Sequence, residues 1–133
     1  MTASEQKGPL PTREELRQLR SLYKEAEEAR RHLAEVNEGK KGEMWYASDK
    51  YRSLLEDRVY QINNTLERLL GFIDQIEDSR TRRVFMMHYV YGWTWQKIAF
   101  QIDASSESTP RLLLSRYLER LPRESKPQKK KKA

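Results

Sequence analysis

With 133 residues, of which 35% are Asp, Glu, Lys or Arg and 37% hydrophobic, the chain has room for one compact domain or for a small domain carrying an extended helical arm, which excludes a large catalytic cleft. Its formal charge of +6 is unevenly spread: residues 79–133 hold 13 Lys/Arg against 4 Asp/Glu, whereas residues 1–78 hold 13 against 16, so only the carboxyl-terminal part is suited to meet phosphate. Cysteine is absent, which removes disulfides and thiolate zinc sites, and with them every zinc-finger route to nucleic acid.

No stretch approaches the roughly eighteen apolar residues of a membrane span. The first residues, Met1 to Glu5, lack the charged-then-apolar pattern of a leader. The expectation is a cytoplasmic protein with no membrane partner. Residues 1–11 contain Gly8, Pro9 and Pro11 without periodicity and are expected to form a flexible lead. A first helix should begin after Thr12, because Glu15 three places later completes a capping box. Leu16, Leu19, Leu22, Tyr23, Ala26, Ala29, Leu33 and Val36 then recur at helical spacing along one side. Gly39 and Gly42 break that pattern.

The most regular periodicity follows. Leu55, Val59, Ile62, Leu66, Leu69, Ile73 and Ile76 step alternately by four and three residues, the spacing of a coiled-coil seam. A helix from about Glu43 to Asp78 would be roughly 54 Å long at about 1.5 Å per residue. Its apolar edge requires a cover, supplied either by the first helix folding back as a hairpin or by a second copy of the chain. Residues 12–78 therefore read as a hairpin or coiled-coil arm.

Asp78 or Ser79 can cap a third helix bearing Val84, Phe85, Met87 and Val90. Arg80, Arg82 and Arg83 crowd its first turn against the helix dipole, which implies an anionic partner or compensation by Glu77 and Asp78. Thr94 can cap a fourth helix whose inward face is Trp95, Ile98, Ala99 and Ile102. Asp103 to Ser106 make a turn, and Thr109 with Pro110 supplies a cap and first helical position for a fifth helix carrying Leu113, Leu114, Tyr117, Leu118 and Leu121. The small Ala99 suits two helices crossing steeply. Two short helices joined by a tight turn, the second opening on hydroxyls and arginines, have the pattern of a helix-turn-helix. The expected fold is all-α: a long amino-terminal hairpin or coiled-coil arm, a three-helix helix-turn-helix module over residues 79–121, and a disordered basic tail over 122–133 with Lys129 to Lys132 at its end.

The segment from Arg83 to Leu121, with Tyr89-Val90-Tyr91-Gly92, Thr94-Trp95, Ile98-Ala99 and the hydroxyl-rich stretch Ser105 to Thr109, resembles region four of bacterial sigma factors. Together with the helical arm, it resembles small phage and prophage transcriptional activators of the RinA/ArpU type. Two positions depart from that pattern: Asp103 stands at the usual turn glycine and Pro110 at a usual buried aliphatic. The resemblance implies a sequence-specific DNA-binding regulator of transcription in a bacterial host cell, associated with the nucleoid, with double-stranded DNA as partner. RNA polymerase and a second copy through the arm are further candidate partners. Alternative readings are a DNA-packaging protein resembling a phage small terminase subunit, and a helical adaptor that binds proteins without DNA.

The expected recognition surface is the start of the fifth helix: Ser106, Ser108, Thr109, Arg111, Leu112, Ser115 and Arg116. Hydroxyls there can hold phosphates or reach base edges, and the arginines can contact guanine in bidentate fashion. Thr94, Gln96 and Lys97 can grip phosphate from the fourth helix, although capping is an equal use for Thr94. Trp93 and Trp95, as aromatics in a helical pattern, are expected in the core, and Trp45 in packing near the loop. His32 and His88 have no matching carboxylates at ligand spacing. No glycine-rich phosphate loop or Gly-x-Ser-x-Gly is present, so neither an enzyme, a cofactor nor a metal is expected.

Overall fold

A computed structural model describes residues 8–38 and 49–122, and these residues are all-helical. Six α-helices follow in order: α1 Arg13–Arg17, α2 Leu19–Asn37, α3 Asp49–Asp74, α4 Ser79–Phe85, α5 Trp95–Gln101 and α6 Ser108–Glu119, with a π-helical turn Met86–Val90 continuing α4. Trp45, the loop glycines and the lysine run of the tail lie outside the described residues.

The capping box forms as the sequence dictates: the Thr12 hydroxyl accepts from the Glu15 amide at 3.0 Å, and the Glu15 carboxylate accepts from the Thr12 amide at 3.1 Å. The first helix is nevertheless not continuous, because the chain pauses at Gln18 between α1 and α2. The segment expected to be a flexible lead is tied down over Gly8–Pro11. Pro11 is fully buried, Leu10 packs on the core, and Arg68 donates to the Pro9 carbonyl at 3.0 Å. The same guanidinium forks onto the Glu15 carboxylate. That hydrogen-bonded cation holds Glu15 below the usual carboxylate range, against the opposing effect of burial.

Helices α2 and α3 lie against each other in opposite directions. Arg58 reaches Glu25 at 3.3 Å, Arg30 reaches Asn63 at 2.7 Å and Arg52 reaches Asn37 at 2.9 Å. The expected seam is buried at Ile62, Leu66, Leu69, Ile73 and Ile76, and half-buried at Leu55 and Val59. Opposite it, Ala26 and Ala29 let the helices approach closely, whereas Tyr23, expected in the stripe, is exposed with its hydroxyl bonded to Glu27. Leu22 and Ala26 already occupy the contact line on either side of it.

Helix α3 ends at Asp74, four residues before the expected Asp78. The chain must turn there to bury Ile76 completely, and the Ile76 carbonyl is taken by Arg82 at 2.7 Å. Asp78 caps α4, accepting from the Thr81 amide at 2.9 Å and the Thr81 hydroxyl at 2.7 Å. Its carboxyl is accordingly held below the usual range, first by the Thr81 hydroxyl. The crowded arginines find acceptors in backbone: Arg83 donates to the Gln101 carbonyl at 3.1 Å and Arg80 to the Ile102 carbonyl at 3.4 Å. Both lie at the carboxyl end of α5, where the helix dipole favours a cation. This answers the dipole conflict without an external anion.

One apolar cluster runs from Leu16 through α3 to Leu118. Its densest part is aromatic, where α3, α4 and α6 meet. Phe72, Phe85 and Tyr117 contact edge to face at 5.6 to 6.1 Å, and Phe85 is fully buried. Edge-to-face contacts of this kind add about 0.5–1.5 kcal/mol each beyond area burial.

Candidate nucleic-acid interface

The carboxyl ends of two successive helical segments are each closed by an amide that bonds back across a left-handed residue. Trp93 N–H donates to the Met87 carbonyl at 3.0 Å across Gly92, whose φ is 73°. Ala104 N–H donates to the Ala99 carbonyl at 2.9 Å across Asp103, whose φ is 58°. Asp103 N–H also donates to Phe100 at 3.2 Å, which completes a Schellman motif. Asp103 thus adopts the left-handed conformation that a glycine would take at this turn.

Helix α5 opens at Thr94, whose hydroxyl accepts from the Lys97 amide at 3.1 Å. Capping is therefore the observed use of Thr94. Ile98, Ala99 and Ile102 point into the core, and Gln96 and Lys97 are exposed. The expected tryptophan burial is only half met. Trp95 stacks on His88 at 4.2 Å with an interplanar angle of 19°, and the Arg111 guanidinium lies 5.6 Å from its ring. The Lys97 ammonium sits 4.0 Å over Trp93. Both rings carry cations, and both are half-buried because one edge packs on the core while the other supports a long basic side chain.

Helix α6 begins two residues earlier than its proline suggested. Ser108 is the first helical residue, and the cap position falls on Glu107, with no side-chain cap from it. The Ser106 hydroxyl instead accepts from the Ser108 amide at 3.1 Å and pairs with the Ser108 hydroxyl at 2.8 Å. Thr109 is not the cap. Pro110 remains within the first turn, where a missing donor breaks no intrahelical bond, and it is fully buried, so its ring packs as an aliphatic side chain would.

The two faces of α6 separate cleanly. Pro110, Leu114 and Leu118 are buried, with Leu113 and Tyr117 half-buried beside them. Ser108, Arg111, Leu112, Arg116 and Glu119 are exposed, with Ser115 and Thr109 intermediate. No carboxylate stands on α6 before Glu119. Arg111 is braced by Glu107 at 3.4 Å and by Trp95, which draws the start of α6 towards the start of α5. That brace has no signature in sequence, because Trp95 and Arg111 are sixteen positions apart and their pairing depends on how α5 and α6 cross.

His88 is pushed below its ordinary value, first by burial and then by the nearby Arg17 charge. It serves as a neutral ring under Trp95. Among the described residues no cluster of His, Asp and Glu could hold a metal ion, and no helix is long and apolar enough to cross a membrane. Comparison with protein-family models, with curated proteins and with solved structures finds no match.

Proposed function

We propose that the chain is a sequence-specific DNA-binding regulator of transcription, of phage or prophage type, in which α4, α5 and α6 act as a helix-turn-helix and α2 with α3 form the arm that carries it. The observation that carries this reading is the outer face of α6, which offers hydroxyls and two exposed arginines with no carboxylate before Glu119. A helix about 10–12 Å across fits a major groove about 12 Å wide. The Schellman end at Asp103 supports the same reading, since it stops α5 sharply and frees the chain to redirect into α6. In this reading Lys97, Arg111 and Arg116 meet phosphate or base edges, with Gln96, Ser108 and Ser115 adding hydrogen bonds.

Fluorescence anisotropy with labelled duplex DNA tests the proposal. Lys97 and Arg111, each displacing one counterion at phosphate, give a log–log salt slope of about −1.8, so affinity should fall about 25-fold between roughly 50 and 300 mM salt. Affinity that is absent, or flat across that range, refutes the DNA reading. Footprinting on phage genome fragments would then locate the site.

A further inference from the structure

We propose that Leu112 reads the 5-methyl group of a thymine while Arg116, one turn further along α6, takes the guanine of a neighbouring base pair. This inference rests on the DNA-binding reading above and names what its central face would select.

The outward stripe of α6 runs through Ser108, Arg111, Leu112, Ser115 and Arg116, and Leu112 is its one apolar member. Leu112 is 44% exposed, and the core does not need it, because Pro110, Leu114 and Leu118 supply the buried side of the helix. A leucine can neither donate nor accept a hydrogen bond, and a polar base edge pressed against it loses its water without replacement. The major groove offers a single apolar feature at a base edge, the thymine methyl. Leu112 therefore rewards thymine and penalises the other bases at the same position.

The two arginines beside it differ. Arg111 is already held by Glu107 at 3.4 Å and rests near Trp95, a geometry suited to a fixed phosphate contact at the margin of the groove. The Arg116 side chain is exposed and makes no hydrogen bond or ion pair among the described residues, so its guanidinium fork remains for a bidentate contact to guanine O6 and N7. Residues four apart on a helix rise about 6 Å, and successive base pairs about 3.4 Å. The thymine and the guanine should accordingly lie within about two base pairs of each other.

The experiment is selection of bound duplexes from a randomised pool with the full chain, followed by replacing each thymine of the enriched site with deoxyuridine. Loss of the methyl at one position, within about two base pairs of an enriched guanine, should weaken binding about fourfold, the worth of one buried methyl. Leu112→Ala should bind the thymine and uracil duplexes alike, with circular dichroism confirming that it folds, and Arg116→Ala should lose the preference for the guanine. Enrichment of a site in which every uracil exchange is neutral overturns the inference and leaves the DNA reading standing, as does a Leu112→Ala chain that still prefers thymine. A pool that shows no salt-dependent binding refutes both and points to a protein partner for this face.

Discussion

Asp103→Gly isolates the cost of the left-handed residue between α5 and α6. Asp103 sits at φ 58°, and its side chain is exposed and makes no hydrogen bond or ion pair among the described residues. Nothing in the side chain offsets the clash between its β-carbon and the backbone, which costs an L-residue about 1–2 kcal/mol in this conformation. Glycine removes that strain and brings a larger unfolded-state entropy, worth about 0.4–1 kcal/mol against it. The balance favours the variant by about 0.5–1 kcal/mol, a rise of about 2–4 °C in Tm. The assay is urea denaturation of wild type and variant followed by circular dichroism at 222 nm, with thermal scans alongside. The two amide bonds that close the turn come from backbone, so they survive the substitution. An unchanged or lower midpoint would refute the reasoning, since it would mean that the carboxylate at this turn holds something the geometry does not record.

Gly92→Ala should act in the opposite direction. At φ 73° alanine meets the same penalty of about 1–2 kcal/mol, and its β-carbon would lie 2.5 Å from the Arg20 guanidinium carbon. Adding Arg20→Ala should recover only a small part of the loss by urea denaturation, because the flexible arginine can move and the backbone cannot. The Glu15–Arg68 pair should be visible in acid. Folding holds the Glu15 carboxyl below its ordinary 4.5, so its contribution is complete above that pH and is lost as pH falls through the folded value. Arg68→Met should flatten that limb of a stability–pH curve measured by urea midpoints from pH 7 to 3. His88, also lowered from 6.5, contributes a separate loss beginning below about that pH, and His88→Phe should remove it. Arg111→Ala combined with Arg116→Ala should leave helix content intact, reduce the salt slope of duplex binding from about −1.8 to about −0.9 through loss of the Arg111 phosphate contact, and abolish the guanine preference. Unaltered affinity in that double variant would support an adaptor that does not use DNA.

The helical character of the chain, its main apolar stripes and three of its caps were legible in residue order, because each depends on neighbours within about four positions. Thr12 with Glu15, Asp78 with Thr81, and Thr94 with the Lys97 amide are local pairings. The four–three spacing from Leu55 to Ile73 likewise fixes which side of α3 is apolar. Which surface covers that side is not a local property: Ala26, Ala29 and the cross-helix contacts of Arg30, Arg52 and Arg58 bring α2 to it within one chain. The bond of the Pro9 carbonyl to Arg68, the burial of Pro11, the turn of the crowded arginines to the carbonyls of α5, and the stacking of His88, Trp95 and Arg111 were equally hidden. Sequence alone determined where α1, α4 and α5 start, what the helices can bury and where basic charge accumulates, since propensity, capping and periodicity act along the chain. Tertiary structure alone decided which cations are already satisfied and which face of α6 is left to solvent, since those depend on groups tens of residues apart converging on one place.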